Sequence, residues 1–480
     1  RQNRSPATPT MPWQAWESVF WLQALLEDAG LRETLVLSCI NSLEAVANFE
    51  MSLFGKSDVK IGFVTMPHGL SGKHGVRIRR MVRYKVMSRF LLSAFFVLLL
   101  TAWRFEPANA QPLSIDMLYL EVKRLDRPTL SNLFKPPSDA GLQGARLGIR
   151  DSQSTGRFLK HRYTLKSLIF SPETGFQKVA DAVLAAGRRF IVFNTPAAMF
   201  GQLAQRFGSV VEGGTAVLIN AGSLDDGLRR SLCQPNVFHT APSRAMLTDA
   251  LVQYLVKRQW TRLMLVEGGR AGDKKLASSF RRSVDKFRAR LVSDRKWLTD
   301  ADIRRNAGQE VPLFTQGADY DAVVVADEDR DFGQYFLYNT WLPRPVALSH
   351  GLRPVGWSAV VEQWGAAQLQ RRFRRLAKRQ MTSLDYAGWA AVRSVSAAVT
   401  RLKTDNPAEI AAYMRSRDFS LAGFKGRKLS FRSWNGQLRQ PIPLVHARAL
   451  VSLAPLEGFL HRRTELDTLG FDRAETDCGS

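Results

Sequence analysis

Polar side chains that directly follow predicted strands are the residues best placed to do chemistry in this sequence. The carboxyl ends of parallel strands meet at one edge of a sheet, where α/β proteins bind their ligands. Asn, Ser, Asp and Gly are also ordinary loop residues, so the group carries more weight than any single member. The candidate ligand-binding residues are Asn194, Thr195, Asn220, Gly222, Ser223, Ser243, Arg270, Asp273, Glu328 and His350.

Arg270 suggests the most specific chemistry among these candidates. An arginine side chain can hold a carboxylate through two parallel hydrogen bonds, which makes Arg270 the expected charge partner of an anionic ligand. Asn220 and Ser223 follow a different strand and are the expected neutral donors. A solvated loop arginine that binds nothing explains Arg270 equally well.

The sequence lacks the common motifs of enzymes. It contains no G-x-S-x-G, HExxH, P-loop or G-x-G-x-x-G pattern, and its histidines in the second half are isolated from one another. We therefore predict a protein that is not an enzyme, with no catalytic residue and no cofactor. A catalytic pair of carboxylates stays open, because one sequence does not show which acids meet in space.

An acidic run at 327–331 begins like the calcium loop of an EF-hand. The match then fails, since Phe332 takes the place of the required glycine and Tyr338 that of the final glutamate. Arg330 also interrupts the acids. We expect a solvated loop rather than a metal site here, with a hard cation as the alternative.

Residues 81–110 contain the three parts of a secretory signal peptide. The start of this segment is basic, 91–103 carries no charge, and Ala108-Asn109-Ala110 forms a cleavage site of small residues. The apolar run is well short of the ~20 residues of a membrane-spanning helix. We expect cleavage after Ala110 and a periplasmic protein, the alternatives being an uncleaved anchor or a buried helix.

Residues 1–80 precede a segment that normally begins a protein. They start with Arg1 and show no periodic pattern that continues into the rest of the chain. We interpret 1–80 as sequence translated upstream of the true start, with Met81 or Met87 as the initiator. A genuine N-terminal extension is the alternative.

The sequence is strongly basic, with 68 Lys and Arg residues against 43 Asp and Glu residues. Residues 111–480 retain 55 basic and 35 acidic side chains, a formal net charge of +20. This excess favours an anionic partner. Export and the lack of any nucleic-acid-binding motif argue against DNA or RNA, which leaves an anionic membrane surface or an anionic small molecule.

Two cysteines, Cys233 and Cys478, remain in the exported part of the sequence. Exported compartments are oxidising, and no third thiol competes there. We therefore expect a Cys233–Cys478 disulfide that ties the C-terminal tail to the body of the protein.

Apolar strands alternate with amphipathic helices over most of the exported part. Strands are predicted at 114–122, 161–170, 189–194, 214–222, 236–242, 261–269, 320–328 and 345–351. Helices with apolar residues three and four apart lie between many of them, including a long helix at 273–291 and one after 328. This alternation predicts βαβ units and two α/β lobes, each a mostly parallel sheet flanked by helices.

The C-terminal part of the sequence changes character. Residues 358–417 have a mostly helical pattern, and 428–455 alternates like a hairpin. Asn435-Gly436 lies between the alternating segments and is a strong signal for a tight turn.

Four segments resemble the type I periplasmic binding proteins of branched-chain amino acid ABC transporters. They are GARLGIRDS (144–152), AVLINAGSL (216–224), NVFHTAPSRAMLTDALVQYL (236–255) and RLMLVEGGRAGDKKLASSFRRSV (262–284). The resemblance implies two lobes that close on a ligand in the cleft between them. Lobe 1 would contain 111–238 and 353–425, and lobe 2 would contain 239–352 and 426–480, including the C-terminal tail.

Three longer segments, 337–373, 421–444 and 457–473, resemble a narrower subgroup of these proteins. Its members are encoded beside pyrroloquinoline quinone (PQQ)-dependent alcohol dehydrogenases. The resemblance implies a solute-binding protein of an ABC transport system linked to PQQ-dependent alcohol oxidation. Its partners would be a small-molecule ligand and an ABC permease, with membrane contact only through the transporter. The alternative is a periplasmic accessory protein that docks to a quinoprotein dehydrogenase without transport.

The ligand loops depart from those of the amino-acid binders. In that family a Ser/Thr loop of lobe 1 holds the ligand carboxylate, while a Tyr and an acid of lobe 2 hold the ammonium. Here the two loops read Asn194-Thr195-Pro196-Ala197-Ala198 and Arg270-Ala271-Gly272-Asp273, and His350 stands near the position of the acid. We therefore do not expect an amino acid as the ligand.

Overall fold

Two parallel β-sheets, each alternating with helices, form the framework of the chain. The computed structural model describes residues 112–125, 135–209, 216–298, 303–459 and 461–479. The predicted upstream extension at 1–80 and the predicted signal peptide at 81–110 lie outside the described residues. Among the described helices, none is both long and apolar enough to cross a bilayer.

The first sheet has five parallel strands in the order β2-β1-β3-β4-β5. Its strands are β1 Leu113–Val122, β2 His161–Phe170, β3 Phe190–Asn194, β4 Val217–Asn220 and β5 Val237–His239. Its helices are α1 Leu142–Gly156, α2 Phe176–Ala186, α3 Ala197–Ser209 and α4 Gly227–Arg230. Helices between parallel strands are the crossover connections that such a sheet requires.

The residues of β1 explain its position in the middle of this sheet. Met117 and Tyr119 lie in one apolar core, while Leu118 and Leu120 lie in the core on the opposite face. Both faces of β1 are therefore buried, and the strand pairs with β2 on one side and β3 on the other. A continuous apolar run suits a strand that is covered on both faces.

The second sheet has four parallel strands in the order β7-β6-β8-β9. Its strands are β6 Arg262–Gly268, β7 Arg290–Trp297, β8 Ala322–Ala326 and β9 Val346–Leu348. Its helices are α5 Arg244–Lys257, α6 Ala271–Lys286 and α7 Ile303–Thr315. Leu263 and Leu265 of β6 face one core, and Met264 and Val266 face the other. These two sheets confirm the predicted α/β fold class.

Two elements of the second sheet differ from the sequence prediction. The long helix predicted at 273–291 ends at Lys286, and β7 follows it as a charged, largely half-exposed edge strand without a clear apolar pattern. The helix predicted after β8 is wrong, since only a short 3-10 turn forms at Gly333–Phe336. The Asp327 carboxylate accepts hydrogen bonds from the backbone N–H groups of residues 331–333 and folds the loop back.

Three further helices pack on the first sheet: α8 Ala366–Ala377, α9 Ser383–Leu402 and α10 Pro407–Arg415. α9 lies unusually close to α1. A Cβ atom at Gly144 would come 1.8 Å from the Asp385 carbonyl oxygen, and one at Gly148 would come 2.7 Å from Val392 Cβ. Glycine at both positions therefore allows the two helices to approach this closely.

Two small antiparallel sheets follow these helices. One contains β11 Leu421–Ala422, β12 Lys428–Phe431 and β13 Leu438–Arg439, and the other contains β10 Arg353–Pro354, β14 Ile442–His446 and β15 Ala449–Ala454. The predicted turn at Asn435-Gly436 lies between the paired strands β12 and β13, but the single hairpin predicted over 428–455 is divided into two, β12–β13 and β14–β15, in separate sheets. Gly436 has φ +65, and a Cβ atom there would lie 2.1 Å from the Val237 carbonyl oxygen, so only glycine fits.

The chain crosses from the first main sheet to the second for the last time at a later residue than the sequence predicts. Phe431 and Leu438 belong to the apolar core of the first sheet, whereas Ile442 and Leu444 belong to that of the second. The passage therefore lies near 440–441 rather than at 426, because β12 packs against α10 on the first sheet.

Within the described residues the chain passes between the sheets at 240–243, 355–356 and 440–441. Buried side chains from the last crossing region bind the backbone at the first one. Gln437 Nε2 donates to the carbonyl oxygens of His239 and Ala241 at 3.2 and 3.1 Å. Gln440 Nε2 donates to the Thr240 carbonyl oxygen at 2.9 Å. These bonds satisfy backbone groups that water does not reach.

Residues 461–479, here called the C-terminal strap, contact both main sheets. Asp467 accepts hydrogen bonds from Arg432 Nε, beside the first core, at 2.9 Å. Asp249 of α5, beside the second core, accepts one from the Gly470 N–H at 2.7 Å. A Cys233–Cys478 disulfide, with its Cα atoms 5.2 Å apart, attaches the end of the strap to the segment before β5.

We predict that loss of either disulfide cysteine, or of both, lowers the free energy of unfolding by the same amount. Cys233→Ser, Cys478→Ser and the double variant should each lower the free energy of unfolding by about 2–4 kcal/mol, because each removes the same crosslink. Urea unfolding of the oxidised proteins measures this loss. Additive losses in the double variant, or free thiols at both positions in the denatured unreduced protein, would contradict the pairing.

Candidate functional site

The candidate residues of the first sheet lie on two loops that touch each other. Asn194 ends β3 and Gly222 follows β4, and a Cβ atom at Gly222 would come 2.3 Å from Asn194 Oδ1. The N–H groups of Ala221 and Gly222 both donate to the Phe193 carbonyl oxygen. The structure therefore brings Asn194, Thr195, Gly222 and their neighbours together at the carboxyl end of this sheet.

Asn220 and Ser223 use their polar groups on each other. Asn220 Oδ1 accepts from the Ser223 N–H at 2.8 Å, and Asn220 Nδ2 donates to the Ser223 carbonyl oxygen at 2.8 Å. The same Nδ2 lies 3.1 Å from His239 Nδ1. Asn220 thus shapes the loop after β4, and its amide has little capacity left for a ligand.

Thr195 differs from these residues because its hydroxyl is not used. The residue is 4% exposed, and its Oγ1 has no hydrogen-bond partner among the described residues. Buried polar atoms in proteins nearly always have a partner. Among the first-sheet candidates, Thr195 Oγ1 is therefore an atom that remains available to a ligand.

Three candidates of the second sheet form one hydrogen-bonded group. The buried carboxylate of Asp273 accepts from the Arg270 N–H at 3.1 Å and from the Glu328 N–H at 2.8 Å. Burial raises the pKa of Asp273 to about 6, and these two backbone donors oppose that rise. Asp273 therefore joins the loop after β6 to the loop after β8.

The guanidinium of Arg270 is held by acids of its own loops. Arg270 Nη2 lies 2.6 Å from Asp331 Oδ2, and Nη1 lies 3.4 Å from Asp329 Oδ2. Among the described residues, no hydrogen bond joins Arg270 to Asn220 or Ser223. This geometry does not favour Arg270 as the charge partner of an anion, because its charge is already balanced.

Ser243 and Glu328 also have local roles. Ser243 Oγ accepts from the Met246 N–H at 3.2 Å and caps the N-terminus of α5. Glu328 accepts from Arg244 Nη2 at 2.7 Å and from Arg244 Nε at 3.2 Å, which is a two-pronged contact.

A set of contacts that the sequence analysis missed connects the two sheets. Asp225 Oδ2, in the loop after β4, lies 2.6 Å from Lys275 Nζ of α6 and 3.6 Å from Arg244 Nη1. Asp226 Oδ1 accepts from the Ala245 N–H of α5 at 3.0 Å, and Asp226 also binds the Ser279 hydroxyl. Consecutive acids after a buried strand were the available signal, but their partners are distant in sequence.

A basic cluster that the sequence analysis also missed surrounds His350. His350 is 2% exposed, and its pKa is lowered to about 3, first by burial and then by the charges of Arg330 and Arg353. Burial also lowers the pKa of both arginines. Among the described residues, Arg353 has no carboxylate within ion-pair distance. Arg330 and Arg353 thus lie near His350, beside a loop after β8 that also carries the acids Asp327, Glu328, Asp329 and Asp331.

The acidic run at 327–331 is occupied by the protein itself. Asp327 binds backbone N–H groups, Glu328 binds Arg244, and Asp329 and Asp331 bind Arg270. Within the part of the chain that the structure describes, no cluster of three or more His, Cys, Asp or Glu side chains has a geometry that would hold a metal ion.

We predict that His350 makes the fold sensitive to acid. In the unfolded chain its imidazole gains a proton below about pH 6.5, whereas the folded protein keeps it neutral until about pH 3. The stability is therefore complete above the unfolded-state pKa and is lost as the pH falls towards the folded-state value. His350→Gln should reduce the slope of unfolding free energy against pH by up to about 1.4 kcal/mol per pH unit below about pH 6.

Urea unfolding between about pH 7 and about pH 5 measures this slope. The control is His446→Gln, at an exposed position of β14. Equal slopes in the wild type and His350→Gln would show that His350 does not contribute.

Sequence comparison alone identifies no relative: no protein-family model matches the chain, and no curated protein matches it. Comparison of structures finds proteins of similar fold. A periplasmic binding protein from Burkholderia mallei is similar at a TM-score of 0.55 with 14% identity, covering 76% of this chain and 98% of that one. A branched chain amino acid ABC transporter periplasmic ligand-binding protein from Burkholderia xenovorans is similar at 0.58 with 11% identity, covering 75% and 98%.

A third similar structure is a solute-binding protein of an ABC transporter from R. palustris, solved in complex with benzoate. It has a TM-score of 0.53 and 15% identity, and the match covers 71% of this chain and 96% of that one. Identities this low establish the fold alone. The chain therefore has the two-lobed α/β fold found in periplasmic binding proteins of the branched-chain amino acid transporter type.

Proposed function

We propose that this chain is an exported solute-binding protein that holds a small anion between its two sheets. The observation that carries the proposal is the arrangement of the strand-end loops. Loops at the carboxyl ends of both sheets carry polar side chains, and the loop after β4 reaches the second sheet through Asp225 and Asp226. Ligands of open α/β sheets bind at this end of the strands.

The lobes in this proposal follow the two main sheets. Lobe 1 contains 111–238 with the later segment that begins at 353, and lobe 2 contains 239–352 with the C-terminal tail. The apolar cores support a later return to lobe 2, near 440–441, than the sequence boundary at 426. Hinge motion at the crossing segments would then open and close the cleft.

The anionic character of the ligand rests on the basic cluster at His350. Arg330 and Arg353 place two guanidinium groups near one buried imidazole, and a net charge of +20 on residues 111–480 attracts anions from solution. Thr195 Oγ1 supplies a neutral group from the other sheet. The proposed ligand is therefore a small carboxylate or similar anion, and the R. palustris protein of similar fold was solved with benzoate, a carboxylate.

The biological setting of the proposal comes from sequence resemblance. The segments 337–373, 421–444 and 457–473 resemble binding proteins encoded beside PQQ-dependent alcohol dehydrogenases. We therefore place the protein in the periplasm, in an ABC transport system linked to alcohol oxidation, with an ABC permease as its partner. Its ligand would be PQQ, which carries carboxylates, or a carboxylic acid formed by oxidation of an alcohol.

A second candidate function is an accessory protein that docks to a quinoprotein dehydrogenase without carrying a solute. The observation that favours it is the number of ties between the two sheets. The Asp225–Lys275 ion pair joins them directly. The strap joins them indirectly, through the Cys233–Cys478 disulfide on the first-sheet side and the Gly470–Asp249 hydrogen bond on the second-sheet side. These links would restrict the opening and closing of the two lobes, and this favours a fixed docking surface.

We predict that an anion of the proposed class raises the melting temperature of the protein. A thermal-shift screen with PQQ, short-chain acids, and the matching alcohols and aldehydes tests this. A ligand at about 100 times its dissociation constant should stabilise the fold by about 2.7 kcal/mol. Stabilisation by acids but not by the matching alcohols supports an anion site. No shift with any compound, together with binding to a purified quinoprotein dehydrogenase, would favour the docking function.

We predict that Arg353 and Arg270 differ in their importance for an anion found in this screen. Arg353→Gln should weaken binding at least tenfold, since a desolvated contact to a charged group is worth about 1.5–3 kcal/mol. Arg270→Gln should change affinity by less than about threefold, because Asp329 and Asp331 already balance that charge. Calorimetric titration measures both. A loss confined to Arg270→Gln would restore Arg270 as the anion partner.

A further inference from the structure

A pocket of about 320 Å³ lies on the first sheet's helices, apart from the strand-end loops. Its main lining residues are Asp151 of α1, Arg372 of α8, Trp389 and Arg393 of α9, and Phe424. Asp151 is the tenth residue of α1, about 13 Å along the helix axis from its first residue. Because α1 begins near the carboxyl end of β1, this pocket, here called the helix groove, is separate from the proposed cleft.

The helix groove contains more positive than negative charge. Its single carboxylate, Asp151 Oδ2, accepts from Arg372 Nη2 at 3.2 Å and from Trp389 Nε1 at 3.0 Å. Arg393 has no carboxylate within ion-pair distance among the described residues, and its Nη1 donates only to the hydroxyls of Ser152 and Ser396. One carboxylate therefore faces two guanidinium groups.

The arginines also retain unused hydrogen-bonding capacity. Arg372 Nε is buried and has no hydrogen-bond partner among the described residues. Arg393 is largely buried, and burial lowers its pKa although the nearby Asp151 carboxylate opposes that shift. A buried cation held by neutral hydroxyls is costly, and an anion placed beside it would reduce that cost.

Two aromatic rings form the apolar side of the groove. The ring centroids of Trp389 and Phe424 are 5.6 Å apart, and Arg372 Cζ lies 5.5 Å from the Phe424 centroid. Phe424 has φ +54, an unfavourable backbone angle for a residue with a side chain. The chain thus holds this ring at the groove despite the conformational strain.

We propose that the helix groove is a second binding site, for a small monoanion with a flat apolar body. The anionic group would lie between Arg372 and Arg393, and the apolar body would pack against Trp389 and Phe424. A cation is not the expected ligand, because Asp151 is already occupied by two donors. The volume lies at the lower end of the ~300–1,000 Å³ range of small-molecule pockets, so the ligand is about the size of a substituted benzene ring.

The proposal does not depend on ligand binding in the cleft between the sheets. The probe is benzoate, and benzamide is its neutral analogue of the same shape. Calorimetric titration of the wild type should show benzoate binding and at least tenfold weaker binding of benzamide. Arg372→Gln and Arg393→Gln should each weaken benzoate binding at least tenfold. Arg372→Lys should restore only part of the affinity, because a point charge does not reproduce the planar guanidinium.

Two control variants separate the helix groove from other basic sites. Arg375→Gln changes an exposed arginine on the same helix α8 and should leave affinity unchanged. Arg374→Gln changes a second exposed arginine of α8 and should also have no effect. Arg372 is more exposed than Arg393, so its variants remain testable if Arg393→Gln does not fold. No benzoate binding to the wild type, equal binding of benzamide, or loss in Arg374→Gln but not in Arg372→Gln would each overturn the proposal.

Discussion

The relation between the two sheets depends on buried side chains that bind the backbone where the chain crosses from one to the other. These crossing segments are irregular, so their N–H and C=O groups lack the partners that a helix or strand provides. Gln437 and Gln440 supply them, and Lys425 Nζ supports Gln440 by donating to its Oε1 at 2.6 Å. Lys425 lies 4.4 Å from the centroid of the Tyr386 ring, and burial lowers its pKa. Loss of any of these side chains would leave buried polar groups without partners, which is among the more costly single changes in a protein interior.

Sequence pattern was sufficient to predict the main elements of the fold, for reasons visible in particular strands. β1 and β6 are apolar runs because both of their faces are buried, and Gly187 follows α2 at φ +61, where glycine commonly ends a helix. β7 escaped prediction because an edge strand with half-exposed faces needs no apolar pattern. The turn at 327–333 escaped because a single carboxylate, not periodicity, sets its shape.

The candidate site was less predictable, because its properties depend on which side chains meet. Position after a strand was enough to select Thr195 and Asp273, yet the same rule selected Asn220, which stabilises its own loop. Arg270 had a suitable residue type, but the two acids that balance it come from a loop 59 and 61 residues later in the sequence. Arg353 lies in the short strand β10, and nothing in the local sequence indicates that it lies near the buried His350. Residue type and local position therefore identify the loops of a site more reliably than the side chains that act in it.

The close contact between α1 and α9 has a consequence for how this protein can change over evolutionary time. Gly144 and Gly148 hold the two helices at a distance that admits no Cβ atom, and this distance places Asp151 beside the indole of Trp389. Any other residue at either glycine would push the two helices apart, whether or not it is charged. A change of one charged side chain in the groove does not require the helices to move, whereas a change at either glycine requires α1 and α9 to move apart.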